Sequence, residues 1–125
     1  MGGEIRPRDI KERTFRFALE VVCFCQTLDG KPGTPKTLGQ QLLRSGTSIG
    51  ANVEEAQAGQ SRADFISKYS IALKEARETI YWLRLLDGSG YSIDGQCQAL
   101  QKEVDEISRI IGAIIVSAKK RKRTE

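Results

Sequence analysis

Three interruptions rich in glycine and proline constrain the fold of this chain more than any other feature. They are DGKPGTP (residues 29–35), Gly59, and DGSGYS (residues 87–92). Glycine and proline end helices, and the stretches between them carry apolar residues at spacings of three and four, typical of helices. No strand-like alternation competes with that pattern. The sequence therefore predicts an all-α protein with helices at about 9–28, 35–58, 62–87 and 94–118.

Local signals support these boundaries. Thr34 followed by Pro35 is a cap with proline in the first helical turn, and Ser61 with Asp64 three residues later is a capping-box pattern. The fourth stretch has an apolar seam typical of bundle packing. Its residues are Cys97, Leu100, Val104, Ile107, Ile111, Ile114 and Ala118. We expect one antiparallel four-helix bundle over residues 9–118, a flexible N-terminus over 1–8 and a basic C-terminal tail over 119–125.

The composition argues against catalysis. Histidine is absent and there are three cysteines, so the commonest general base and metal ligand are missing. Cys23 and Cys25 point to nearly opposite sides of a helix and cannot grip one metal together. We expect no catalytic residues, metal or cofactor. No apolar run is long enough for a membrane span and the start lacks a secretory signal, so a cytoplasmic protein is expected.

The positive charge is concentrated at one end. Lysine and arginine number 20 against 16 acidic residues, but KKRKRTE (residues 119–125) holds five of the cations. The first 118 residues are electrically balanced, with a smaller basic cluster between Arg6 and Arg16. A dense cationic terminus favours the phosphate backbone of nucleic acids, although such a run is also typical of a solvated chain end. The candidate nucleic-acid-binding residues are Lys119, Lys120, Arg121, Lys122 and Arg123.

Two surface features indicate close packing. Gly39, Gly46 and Gly50 share one side of the second helix, which suggests that another backbone approaches closely there. The first helix, through FRFALEVVCFC, and the third, through Ile71 and Trp82, carry more apolar surface than one core-facing stripe requires. The simplest prediction is self-association into a homo-oligomer. The alternative is that these side chains pack under the connecting loops.

A set of residues at fixed offsets stands out between Leu38 and Leu86. These are Arg44, Ser48, Ile49, Asn52, Glu55, Phe65, Ala72, Lys74, Glu75, Glu78, Thr79 and Trp82. With them the sequence resembles a bacterial four-helix-bundle family that includes proteins encoded by intervening sequences in large-subunit ribosomal RNA genes. One departure is Ala56, where many members have glycine.

The resemblance implies an up-down-up-down bundle, ring-shaped homopentamers and no established enzymatic activity. It also implies a distant similarity to the accessory variability protein of diversity-generating retroelements, which works beside a reverse transcriptase and its RNA. RNA or DNA, a reverse transcriptase or another protein, and further copies of the chain are therefore the expected partners.

The polar residues of this motif have a predicted structural role. If the chain reverses near Gly59, antiparallel pairing brings Arg44 level with Glu75. We predict an ion pair of Arg44 with Glu75 or Glu78, within one subunit or between subunits; if buried, losing one partner costs about 3–5 kcal/mol. The alternative is that these residues form a ligand site.

Two functions remain open from the sequence. The first is a non-enzymatic, oligomeric accessory protein that binds RNA or DNA backbone through multivalent basic termini. The second is a protein-interaction scaffold or adaptor without nucleic-acid binding, whose broad apolar faces receive a partner helix.

Overall fold

The computed structural model describes residues 7–59, 61–91 and 94–124 of the chain, with side chains described between residues 9 and 121 of those ranges. Within them the chain forms four helices and no strand. The helices are α1 (Pro7–Asp29), α2 (Thr34–Gln57), α3 (Arg62–Gly88) and α4 (Gln96–Thr124).

The four helices form an up-down-up-down antiparallel bundle. Each helix packs against its neighbours in sequence, and α1 closes the bundle by contacting α4. The predicted fold class is thereby confirmed. In the part of the chain that the structure describes, no helix has an apolar stretch that could cross a membrane.

The helix ends differ from the predicted bounds at α1 and α4. Residues 7 and 8, expected to belong to a flexible N-terminus, are helical, while residues 1–6 lie outside the described residues. Helix α4 begins at Gln96 because Asp94 and Gly95 have φ of 52° and 74°, outside the helical region. It then continues to Thr124 instead of ending at residue 118. Lysine and arginine are good helix formers and complement the negative helix C-terminus, which explains why the basic residues extend the helix.

Other boundaries follow the sequence signals. Ser61 caps α3 by accepting a hydrogen bond of 3.1 Å from the backbone N–H of Asp64, and Pro35 lies in the first turn of α2. The prediction of Thr34 as the cap of α2 is wrong, because Thr34 is already helical and the N-cap position is taken by Gly33, which has no side chain to form a cap hydrogen bond. The predicted apolar seam of α4 is buried, except that Ile115 takes the buried place expected for Ile114. The latter is only partly buried against the core.

The glycines of α2 allow α1 to pack closely. A Cβ atom on Gly46 would lie 3.0 Å from both methyl groups of Val21, and one on Gly50 would lie 3.3 Å from the backbone oxygen of Thr14. The predicted close approach is therefore made within the subunit. The side chain of Val21 lies against Gly46, and the backbone of Thr14 lies against Gly50. These contacts close the α1–α2 seam.

Candidate functional site

The polar motif residues meet on the outer edge of the α2–α3 seam. The guanidinium of Arg44 in α2 donates hydrogen bonds to the carboxylates of Glu75, at 3.3 Å, and Glu78, both in α3. The predicted ion pair is confirmed, and it forms within one subunit. The side chain of Arg44 is 48% exposed, however, so the cost expected for a buried pair does not apply. Partly exposed pairs contribute about 0.2–1 kcal/mol.

The indole of Trp82 belongs to the same cluster. Its N–H donates to Glu78 Oε1 at 3.1 Å, and this bond, followed by the guanidinium of Arg44, lowers the pKa of the Glu78 carboxyl. In turn, the carboxylates, chiefly Glu78, raise the pKa of Arg44. The excess apolar surface predicted on α3 is only partly present, because Trp82 is partly buried against the core of its own chain whereas Ile71 is 38% exposed.

The remaining motif residues of α2 make local or cross-helix contacts. The hydroxyl of Ser48 donates to the backbone oxygen of Arg44 at 2.6 Å, and the amide of Asn52 donates to that of Ser48 at 2.8 Å. Glu55 pairs with Lys68 of α3 at 2.8 Å. Each of these polar side chains has a partner inside the bundle.

Beneath this cluster lies a polar contact that sequence reasoning missed. The hydroxyl oxygens of Ser45 and Thr79 are 2.9 Å apart, and both residues are fully buried. Thr79 also donates to the backbone oxygen of Glu75 at 2.8 Å. A hydrogen-bonded polar pair in an apolar core fixes how two helices align. Small polar residues on the core-facing sides of α2 and α3 were the sequence signal that could have predicted this contact.

The basic terminus lies on the last turns of α4. Lys119, Lys120 and Arg121 are exposed, whereas the side chains of Lys122 and Arg123 lie outside the described residues. The N-terminal basic cluster is partly neutralised, because Arg13 forms a two-pronged pair with Glu103 of α4, at 2.7 and 2.9 Å. The exposure of Lys119, Lys120 and Arg121 makes them candidates for a phosphate contact.

An apolar face remains exposed on helices α1 and α2. Phe15 and Leu19 of α1 are 55% and 50% exposed and share a surface hollow with Glu54 of α2. Leu43, 38% exposed, lies three turns before Glu54 on the same side of α2. These three apolar residues form what we call the α1–α2 face. The expected excess of apolar surface on α1 is thus present, and it continues onto α2.

The thiols and acids form no metal site among the described residues. Cys25 is buried, donates to the backbone oxygen of Gly39 at 3.3 Å, and has a pKa raised to about 12, chiefly by burial. Cys23, two residues earlier, is exposed. Opposite orientation of residues two apart on α1 accounts for the difference.

Two comparisons with known proteins relate the chain to proteins with ribosomal names. A family model described as "23S rRNA-intervening sequence protein" matches residues 7–113. A crystal structure of a protein of unknown function from the S23 ribosomal protein family of Bacteroides thetaiotaomicron is similar, with a TM-score of 0.82 and 40% identity. That likeness covers 89% of this chain and 98% of the other. No curated protein matches the chain.

Proposed function

The chain belongs to the 23S rRNA-intervening sequence protein family, and from that premise we propose that it is a non-enzymatic, oligomeric accessory protein of the cytoplasm that binds RNA or DNA. The observation that carries the proposal is the cationic end of α4, where Lys119, Lys120 and Arg121 are exposed on a helix. A helix holds these cations at fixed spacings, so less conformational entropy is lost on binding than from a flexible tail. The family match ends at residue 113, before this segment.

The α1–α2 face supports the oligomeric part of the proposal. Two exposed apolar side chains, Phe15 and Leu19, share one hollow there, and Leu43 is exposed on the same side of α2. Monomeric proteins rarely leave a contiguous apolar patch uncovered without a use for it. A second copy of the chain is the simplest cover, and a closed ring, a pentamer in our proposal, satisfies every subunit equally. Each added copy brings another cationic terminus to the same assembly, which strengthens binding by avidity.

Two measurements test the proposal. Size-exclusion chromatography with light scattering determines the number of copies. RNA titration at 50 and 200 mM salt then compares the full chain with a charge-neutral variant in which Lys119, Lys120, Arg121, Lys122 and Arg123 are all changed to glutamine. Because each lost phosphate contact lowers the salt dependence, we expect weaker binding and a shallower salt slope. Unchanged affinity and slope would remove the terminus from the mechanism.

A protein-interaction scaffold is the second candidate, and the α1–α2 face is also the observation that favours it. An amphipathic helix of a partner, such as a polymerase, can be received by a groove of this kind. A stoichiometric complex with one protein partner, in which Phe15 and Leu19 become protected and no nucleic acid is bound, would favour the scaffold over the nucleic-acid role.

A further inference from the structure

The outer side of α3 carries a row of cations with an aromatic ring among them. Lys74, Arg77, Tyr81 and Arg84 follow one another at spacings of three, four and three residues, which places them along one side of a helix. All four are exposed, Tyr81 by 52%. Ten residues of helix separate the first from the last, so the row is about 15 Å long.

Helix α4 extends this row into a surface. It packs antiparallel against α3, and the two are aligned where Gln98 donates to Asp87 at 2.6 Å. Lys102 and Arg109, seven residues apart, are both exposed on α4. We call the surface formed by Lys74, Arg77, Tyr81, Arg84, Lys102 and Arg109 the basic α3–α4 face.

Most cations of this face lack the carboxylate partners that neutralise Arg13 and Arg44. Arg13 and Arg44 are held by carboxylates of neighbouring helices. In contrast, Lys74, Arg77, Arg84 and Lys102 form no ion pair with a described residue. The remaining cation, Arg109, pairs with Asp105 at 3.1 Å, where the arginine is 78% exposed.

The nearest carboxylate on α3 faces away from the row. Glu78 accepts hydrogen bonds from Arg44 and Trp82, on the α2 side of the helix, and Lys74 acts on it only through its charge. On α4, Asp105 is paired with Arg109 and Glu106 with Arg13. The five cations of the basic α3–α4 face therefore outnumber the carboxylates on it, although the first 118 residues have as many acidic as basic side chains.

We propose that the basic α3–α4 face binds single-stranded nucleic acid, with phosphates on its cations and a base stacked on Tyr81. Uncompensated cations in a row complement a phosphate backbone, and an exposed ring among them is the arrangement by which proteins hold unpaired bases. A duplex offers its phosphates but keeps its bases stacked inside, so it gains nothing from Tyr81. An acidic protein surface likewise has no use for the ring.

This inference rests on the nucleic-acid role proposed above but assigns it to a different surface from the end of α4. The two surfaces are separable by mutation. The face-neutral variant is Lys74→Gln, Arg77→Gln and Arg84→Gln; the terminus-neutral variant is the five-glutamine change already described. A matched control, Lys11→Gln, Arg16→Gln and Lys36→Gln, removes three cations from α1 and α2. Because Lys11 and Arg16 line the hollow beside Phe15 and Leu19, light scattering first establishes that the control forms an assembly of the same mass as the unaltered chain.

The probe is a fluorescein-labelled 20-nucleotide oligouridylate, titrated into the full-length protein across a range of salt. Losing three phosphate contacts lowers the log–log salt slope by about 2, so we expect this from the face-neutral variant and a much smaller change from the matched control. Circular dichroism melts confirm that each variant is folded. These positions are exposed, so little change in the melting temperature is expected.

Substitutions of Tyr81 test base stacking separately from charge, because they leave every cation in place. Tyr81→Ala should weaken oligouridylate binding about 5- to 100-fold, Tyr81→Phe should retain most of it, and inorganic polyphosphate should bind both variants equally. Since the chain has one tryptophan and its ring centroid lies 5.3 Å from that of Tyr81, quenching of Trp82 fluorescence reports base stacking directly.

The results separate this inference from the function on which it rests. If the unaltered chain fails to bind oligouridylate at low salt, both are wrong. If it binds and only the terminus-neutral variant weakens, the nucleic-acid role stands and the basic α3–α4 face is overturned. The face is also overturned if polyglutamate binds it as tightly as oligouridylate does, or if Tyr81→Ala has no effect.

Discussion

The two helix pairs of the bundle expose very different surfaces. On α1 and α2, Phe15, Leu19 and Leu43 leave apolar area uncovered, whereas the outer sides of α3 and α4 carry unpaired cations around Tyr81. Both surfaces belong to one small bundle whose charges balance over residues 1–118. The comparison teaches that an averaged composition conceals how a fold separates its charges. It also suggests that one pair contacts other copies while the other pair remains available for nucleic acid.

The first prediction concerns the apolar α1–α2 face and has the largest expected effect. The double variant Phe15→Asp and Leu19→Asp places two carboxylates in the proposed contact between copies. Burying unpaired charge costs several kcal/mol, so we expect the assembly to dissociate to monomers while each bundle stays folded. Light scattering measures the mass, and circular dichroism measures the helix content.

Val116→Asp provides the control for that experiment. Val116 is 53% exposed on α4, away from the α1–α2 face, and its substitution should leave the mass of the assembly unchanged. An assembly that survives the double variant but is lost with Val116→Asp would assign the contact to α4 instead.

The second prediction compares the closed α1–α2 seam with the open surface of α4. Gly46→Ala brings a Cβ to 3.0 Å from Val21, whereas Gly112→Ala in α4 meets nothing within 4 Å. Both gain about 1 kcal/mol of helix propensity, so the difference between them isolates the crowding, about 1–3 kcal/mol. Urea unfolding should show Gly112→Ala to be more stable than Gly46→Ala by that amount. Equal stabilities would mean that α1 yields easily at Gly46.

The sequence predicts whatever depends on neighbouring residues along the chain. Glycine and proline breaks and the Ser61 cap are local signals, and they gave four helices with most ends within two residues. The Arg44 pairing was also predictable, because a short connection near Gly59 determines how α2 and α3 align.

What the sequence did not predict depends on the arrangement of helices in space. The burial of Trp82 comes from side chains on other helices, and the partner of the α2 glycines could not be distinguished from a second copy. The basic α3–α4 face could not be predicted from the sequence, because its cations alternate with acidic residues along the chain. Only the direction in which Glu78 and Glu103 point, toward Arg44 and Arg13, reveals that those acids are already used.

The third prediction concerns the α2–α3 seam, where the two helix pairs meet. Arg44→Ala removes one of the cations that pair across this seam, and since that side chain is 48% exposed we expect a loss of about 0.2–1 kcal/mol. A double-mutant cycle with Glu78→Gln, followed by urea unfolding, measures the coupling between the two residues. An intact assembly of undiminished stability would instead favour the ligand-site alternative for this cluster.

The smallest predicted effect is a pH dependence from the same cluster. The folded protein lowers the pKa of Glu78, first through the indole N–H of Trp82 and then through Arg44. A lowered pKa stabilises the folded state above the unfolded value, about 4.3 for glutamate, and that contribution is lost as the pH falls through the folded pKa. Urea unfolding followed by Trp82 fluorescence, at pH 7 and at about pH 3, should show that this contribution to the free energy of unfolding is lost at the lower pH.

Substitutions separate the two causes of that pH effect. In Glu78→Gln the amide oxygen still accepts from Trp82 but carries no titrating charge, so this part of the pH dependence disappears. In Arg44→Ala it shrinks without vanishing, because the indole bond remains. If the dependence is the same in Arg44→Ala as in the unaltered chain, the indole alone stabilises the carboxylate.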